Sequence, residues 1–469
     1  MRLTWAQPED LVAGELTALR EQGAAEADLA PVERRWTDAG GSTRLAPSGA
    51  GTGSADPILR ALARAVLDDL QALQVPSALE PDGWDEIESL LPPPAPTAGG
   101  PDTKVPPVPV AFGRVHGAWL GRAAGCLLGK PVEKIPREGI EQIARATGNW
   151  PIRTYFTAVG LPPEIAARWP WNRRSAPTSL LENISGMPED DDLNFAILAL
   201  DLLEAHGRNL TTEHIAAAWL ADLPAGRVFT AERAAYRNLL DARTIPDTAR
   251  HHNPFREWIG AFIRADVHGW AHPGDVRAAA ASAWTDARLS HTRNGIYGGM
   301  WAAALCSASL TAASADAVLD AADTVLPPAS RLAASVRLGR GTGRALAEGR
   351  VGAREALDVL HSDFAGMHWV HTLNNAALAA CALQAYGNDF DAALGLAVAG
   401  GWDTDSVGAT VGSVLGGLLG AEGIDDSWTA PLRDSITTSL PGAQRSIRRL
   451  AERTLQLSQS NGMNVIERT

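Results

Sequence analysis

Asp403 and Asp405 lie in GGWDTDSVGATVGSVLGGLLG, residues 400–420, on a Gly-flanked turn that runs straight into a small-residue, apolar helical pattern. Carboxylates at a helix start meet backbone N–H groups and the positive end of the helix dipole, both of which favour negative charge. Two carboxylates there can also share a cation without leaving buried charge unpaired. The plainer reading is an acidic N-cap, because Asp is common before a helix. A second cluster shifts the balance: Met187–Ala199 reads MPEDDDLNFAILA, four consecutive acids after a proline. Alone, such a run is an ordinary solvated face. Here Leu193, Phe195, Ile197, Leu198, Leu200, Leu202 and Leu203 predict a buried helix, which draws its acidic start inward. Neither cluster contains His or Cys, so the donors are oxygens and suit Mg²⁺, Mn²⁺ or Ca²⁺ better than Zn²⁺.

Two further motifs must position these acids. GAWLGRAAGCLLGKPVE, residues 117–133, predicts a helix with small-residue spacing that closes in Gly-x-Pro-x-Glu. The stretch from Asn253 through DARLSHTRNGIYGG places Asp286, His291 and Asn294 before a Gly-containing helix. In this order the four motifs resemble the ADP-ribosylglycohydrolase family, that of the dinitrogenase-reductase-activating glycohydrolase, over about residues 111–430. The resemblance implies an all-α fold and two Mg²⁺ ions, with Mn²⁺ as an alternative, held between a Thr-Asp-Asp-Thr and a Gly-Asp-x-Asp-Thr motif. The first motif falls on Asp190, Asp191 and Asp192, and the second on Asp403, Asp405 and Ser406. The chain departs from the family at several points. Asp190, Leu193 and Ser406 stand in place of Thr, Cys126 stands in place of Asp, and Trp402 is inserted before Asp403. A register one residue earlier would make Glu189 the first ligand. The later register aligns Asn194, Phe195, Ala196 and Ile197 with the family's Gln-Met-Ala-Leu and is preferred.

The activity implied is glycosidic-bond hydrolysis. Paired Mg²⁺ ions can hold ribose hydroxyls and lower the pKa of a water. Carboxylates such as Asp192 and Asp403 can stabilise an oxocarbenium-like state and relay protons. Glu133, matching the Glu that closes the family's first motif, is the candidate for proton transfer or gating; otherwise it is an exposed residue opening the basic loop 130–137. His291, with Asn294 nearby, is expected to contact substrate phosphates, although a lone His is more often structural. Arg264 is expected to pair with Asp266 or Asp286. Three functions compete. The first is an Mg²⁺-dependent hydrolase releasing ADP-ribose from a protein or small molecule. The others are a glycosidase for another ribosyl metabolite and a non-catalytic, crystallin-like member; retention of Asp191, Asp192, Asp403 and Asp405 argues against the last.

The 469 residues are 45% apolar and 20% charged, which suits a helix-rich globular chain. Helical patterns follow one another from about Val105 to Leu457, predicting one large helical domain over 110–460. Residues 1–91 predict a small helical extension, with helices at Pro8–Gln22 and Pro57–Leu73 and a Gly/Ser-rich loop at Gly40–Ser54. A Pro-rich link at 92–109 joins the two. A net charge of −13 argues against nucleic acid as a partner. Cys126, Cys306 and Cys381 stand singly in apolar stretches, no apolar signal core opens the chain and no uncharged span is long enough for a membrane, so the expected location is cytoplasmic. GRGTGRA, residues 339–345, lacks the context of a nucleotide loop and is expected to be a turn between helices. His361, His368 and His371 lack zincin spacing.

Overall fold

Long runs of Ala and Leu with few alternating β-branched residues favour helix over strand. The computed structural model describes residues 3–46, 48–51, 56–73, 75, 77–93, 110–442 and 445–463. Among them every regular element is a helix, and β structure is limited to isolated bridges such as Met187 with Ile436. None of these helices is long and apolar enough to cross a membrane.

The organising contact is an antiparallel pair, Phe112–Gly129 against Thr404–Leu419. Its two glycine rows meet backbone to backbone. A Cβ on Gly121 would lie 2.0 Å from the Gly412 carbonyl oxygen, and one on Gly125 would lie 1.9 Å from that of Gly408. This spacing at every fourth residue is what the small-residue pattern encodes, since a bare backbone surface lets two helices approach closely. At one end of the pair, the Thr404 hydroxyl donates to the Gly129 carbonyl at 2.9 Å. The turn carrying Lys130 and Glu133 is thereby fixed against the helix start carrying Asp403 and Asp405. Arg122, fully buried in the first helix, donates to the Asp192 carbonyl (2.7 Å) and to Asp266 (2.7 Å), tying in the Asp191–His206 helix.

The expected turn at 339–345 is instead helical, inside Arg331–Ala347. Gly339 and Gly343 lie one helical turn apart and face the Thr372–Tyr386 helix, where a Cβ would meet the carbonyls of Ala377 (2.1 Å) and Cys381 (2.5 Å). Close packing, not turn geometry, accounts for these glycines.

The first ninety residues form helices Pro8–Glu21, Glu26–Asp38, Pro57–Ala72 and Trp84–Leu90. Their buried Leu11, Leu16, Trp36, Leu67 and Ile87 belong to the same hydrophobic core as the later helices. Ion pairs join the two parts: buried Arg256 meets Glu15 at 2.9 Å, and half-buried Arg331 meets Glu80 at 3.1 Å. Most of the Pro-rich link, residues 94–109, and parts of the Gly/Ser loop, residues 47 and 52–55, lie outside the described residues.

Candidate active site

Both acidic clusters are helix starts, and the fold brings them to one cleft of about 530 Å³. Asp190 is the N-cap of Asp191–His206, its side chain accepting from the Asp192 N–H at 3.0 Å. Asp403 is the N-cap of Thr404–Leu419 but makes no side-chain cap bond, so its carboxylate is not used to close its own helix. Asn375 instead accepts from the Asp403 N–H at 3.2 Å. The Ser406 hydroxyl reaches across the cleft to Asp192 at 3.4 Å. Asp192 Oδ1 and Asp405 Oδ1 are buried and have no hydrogen-bond partner. A buried, unbonded carboxylate oxygen is costly, and a hard cation is the natural remedy. Asp191, Asp192, Asp403, Asp405 and Ser406 all line this cleft and present oxygen donors, the type that suits such an ion.

The electrostatics agree. Burial, and then the charge of Asp190, push the carboxyls of Asp191 and Asp192 well above the usual range. Burial and then Asp405 do the same to Asp403. Asp405 is raised to about 7 by burial and then by Glu133. Asp190 goes the other way: burial opposes its ionisation, but the Lys130 ammonium bonded to its Oδ2 holds it below the usual value. Cys126 lies with Asp190 and Asp192 in a tight group of possible ligand atoms. Burial and then Asp190 push its thiol far up.

Glu133 lines the same cleft, half-buried, with Oε2 accepting from Asn172 at 2.7 Å and Oε1 paired with Lys134 at 3.0 Å. Glu189 also lines it, but its oxygens are taken by Ser439 N–H (3.0 Å), Asn194 (3.1 Å) and Arg227 (2.9 Å). A basic rim of Lys134, Arg173, Arg174 and Arg227 borders the acidic floor.

A model of the ADP-ribosylglycohydrolase family matches residues 108–463. The chain belongs to that family. Membership makes it a glycosidase-type hydrolase, and the family's general dependence on a divalent metal agrees with the oxygen donor set. A solved structure titled ADP-ribosylglycohydrolase-related protein complex is similar at 20% identity, covering 75% of this chain and 98% of that one, with a TM-score of 0.42. No curated protein matches.

Two residues expected at the substrate of this family member lie behind the cleft. His291 is buried beside Ser290 (2.8 Å), with Nε2 3.9 Å from Glu232, a cleft residue. Burial, and then Arg264, keep its ring neutral. Asn294 donates to Glu257 at 2.9 Å and accepts from the Leu332 N–H at 2.9 Å. Arg264 pairs with Asp286, as expected, and with Glu232 at 2.5 Å. The inserted Trp402 stacks on His361 at 4.2 Å.

Sequence reasoning missed the wall contributed by the N-terminus. Thr4, Trp5 and Ser48 line the cleft. The buried Arg233 donates to the Thr4 carbonyl (2.7 Å) and hydroxyl (2.8 Å), and Trp5 packs edge-on against Phe255 and Trp258. No local signal marks these residues, and the sequence reading also passed over Arg173 and Arg174, which line the same cleft.

Proposed function

We propose that this chain is a divalent-cation-dependent hydrolase, using Mg²⁺ with Mn²⁺ as substitute, that cleaves the glycosidic bond of an ADP-ribosylated protein or small molecule and releases ADP-ribose. The observation that carries this reading is the pairing, in one cleft, of buried carboxylates with unbonded oxygens and a basic rim. Such a cleft complements a ligand that presents vicinal hydroxyls beside a cation and a diphosphate beside guanidinium groups.

Asp191, Asp192, Asp403, Asp405 and Ser406 would hold the cation, which when bound orients ribose hydroxyls and acidifies a water. Asp192 and Asp403 supply negative charge opposite the sugar ring as positive charge grows at the anomeric carbon. Glu133 moves the proton at its carboxylate, with Asn172 and Lys134 fixing its orientation. The rim arginines bind phosphate. His291 and Asn294, the residues the family resemblance places at the substrate, stand behind the cleft, with His291 Nε2 3.9 Å from Glu232 and Asn294 bonded to Glu257. The three free, buried cysteines support a reducing, cytoplasmic compartment.

Incubation with Arg-linked, Ser-linked and O-acetyl ADP-ribosyl substrates, read by mass spectrometry, tests the proposal: released ADP-ribose that a chelator abolishes supports it, and no release from any substrate refutes it. One observation favours a second reading, hydrolysis of a different ribosyl metabolite. Asp190 stands in a family Thr position and is paired with Lys130, which changes the floor of the cleft. A panel of ribosyl nucleosides separates the two.

A further inference from the structure

Away from the cleft, the first ninety residues meet the later helices through a second group of side chains that can bind a metal. Asp68 and Gln71 stand three residues apart, on one face of the Pro57–Ala72 helix. That face meets His251 and His252, which follow the short helix Asp247–Arg250. His252 Nε2 is 2.8 Å from Asp68 Oδ1, and His251 Nδ1 is 3.0 Å from Gln71 Oε1. The two imidazoles stack with ring centroids 3.8 Å apart. Their backbone is fixed: His252 adopts a left-handed conformation (φ 46°), and Arg237 donates to the carbonyls of His251 (2.9 Å) and His252 (3.0 Å). Buried Asn238 donates to the His251 carbonyl as well, at 2.8 Å.

The ligand atoms of Asp68, His251 and His252 all lie within 4.8 Å of one another. A tetrahedral Zn²⁺, about 2.0–2.1 Å from each donor, spaces its donors by about 3.3 Å, so closing the widest gap takes about 1.5 Å or less, within reach of side-chain rotation. Two imidazole nitrogens and a carboxylate oxygen suit Zn²⁺, whereas the all-oxygen donors of the cleft suit a harder ion. The fourth position falls to Gln71 or a water. The Asp68 side chain is 66% exposed, so an ion can enter from solvent, while that of His252 is largely buried.

We propose that Asp68, His251 and His252 form a Zn²⁺ site, separate from the carboxylate cleft, that clasps the first ninety residues onto the later helices. It stands independently of the functional reading. The clasp also bears on the cleft. The Pro57–Ala72 helix packs on Pro8–Glu21 and is tied to it by the pair Arg60 and Glu9 at 2.8 Å, and Thr4 and Trp5, just ahead of Pro8–Glu21, line the cleft. A loaded clasp therefore steadies one wall of that cleft.

Calorimetric titration with Zn²⁺ tests the site, using untagged full-length protein stripped with chelator and then held in excess Mg²⁺. The expected result is one Zn²⁺ per chain and a higher Tm once it is bound. Asp68→Ala and the double variant His251→Ala, His252→Ala should each weaken that binding by about 10-fold or more, the loss that even an outer partner of a metal brings, and should abolish the rise in Tm. The Asp403→Asn, Asp405→Asn double variant should bind this Zn²⁺ as the native chain does. No Zn²⁺ uptake by the native chain would overturn the proposal. So would uptake that survives loss of both histidines, which marks an adventitious ion only, or uptake lost with Asp403 and Asp405, which assigns the ion to the cleft. Asp68 is exposed, so Asp68→Ala decides even if the histidine variant fails to fold. Because the titration needs no turnover, a chain that binds Zn²⁺ here yet releases no ADP-ribose would refute the functional reading and leave this one intact.

Discussion

Removing one acid from the cluster should stabilise the metal-free protein, and the size of the effect follows from Asp405. Its folded pKa is raised from the ordinary 3.8 to about 7. A raised acid pKa means that the folded state holds its proton longer than the unfolded chain does. Stability is therefore unaffected by this group below the unfolded value and is lost as pH rises through the window up to about 7. At about 1.4 kcal/mol per pKa unit, the full cost above that window is about 4 kcal/mol, and near pH 5 it is only about 1.6 kcal/mol. Unfolding entropy of about 2.1 cal/mol/K per residue gives about 1 kcal/mol/K for a chain of this length, so Tm moves about 1 °C per kcal/mol. Asp405→Asn in chelator should thus melt about 4 °C above the native chain at pH 8 and only about 1–2 °C above it at pH 5. The native chain should gain stability from Mg²⁺, more at pH 8 than at pH 5, and Asp405→Asn should lose most of that gain. Melting curves at the two pH values, with and without Mg²⁺, provide the assay. A metal-free Asp405→Asn chain that melts below the native one at pH 8, or that keeps the full Mg²⁺ response, would refute the reasoning.

Other substitutions probe separate parts of the account. Gly121→Ala places a methyl group 2.0 Å from the Gly412 oxygen and should destabilise by about 1–3 kcal/mol or more while weakening ion binding, read by melting and calorimetry. Glu133→Gln should lower kcat by about 10²-fold or more with ion affinity unchanged; unchanged turnover would remove Glu133 from the chemistry. Arg174→Ala or Arg227→Ala should raise KM with little change in kcat if the rim binds diphosphate, which steady-state kinetics will show. Trp5→Ala should cost about 3 kcal/mol or more in stability and alter KM, because this ring both packs on Phe255 and lines the cleft.

Both acid clusters were legible as helix starts because an acid run followed by an apolar helical pattern is a local signal, and helix starts form where local sequence dictates. The glycine spacing in residues 117–129 was equally legible, since close helix packing needs small residues one turn apart. The same spacing at Gly339 and Gly343 was read as a turn, because glycine carries both meanings and only the neighbouring helix decides between them. What escaped the sequence depends on distant partners. Lys130 meets Asp190 across 60 positions, and Thr4 reaches Arg233 across 229. His291 was expected at the substrate phosphates from the family resemblance, and its burial against Ser290 is set by the fold and not by local sequence.

The most direct test of the central claim is release of ADP-ribose from defined ADP-ribosyl substrates by the full chain, with Mg²⁺ and then with excess chelator, alongside the Asp403→Asn, Asp405→Asn double variant. The account predicts release that the chelator stops, and none from a double variant that remains folded and helical. Release that persists in chelator, or in the double variant, would contradict it.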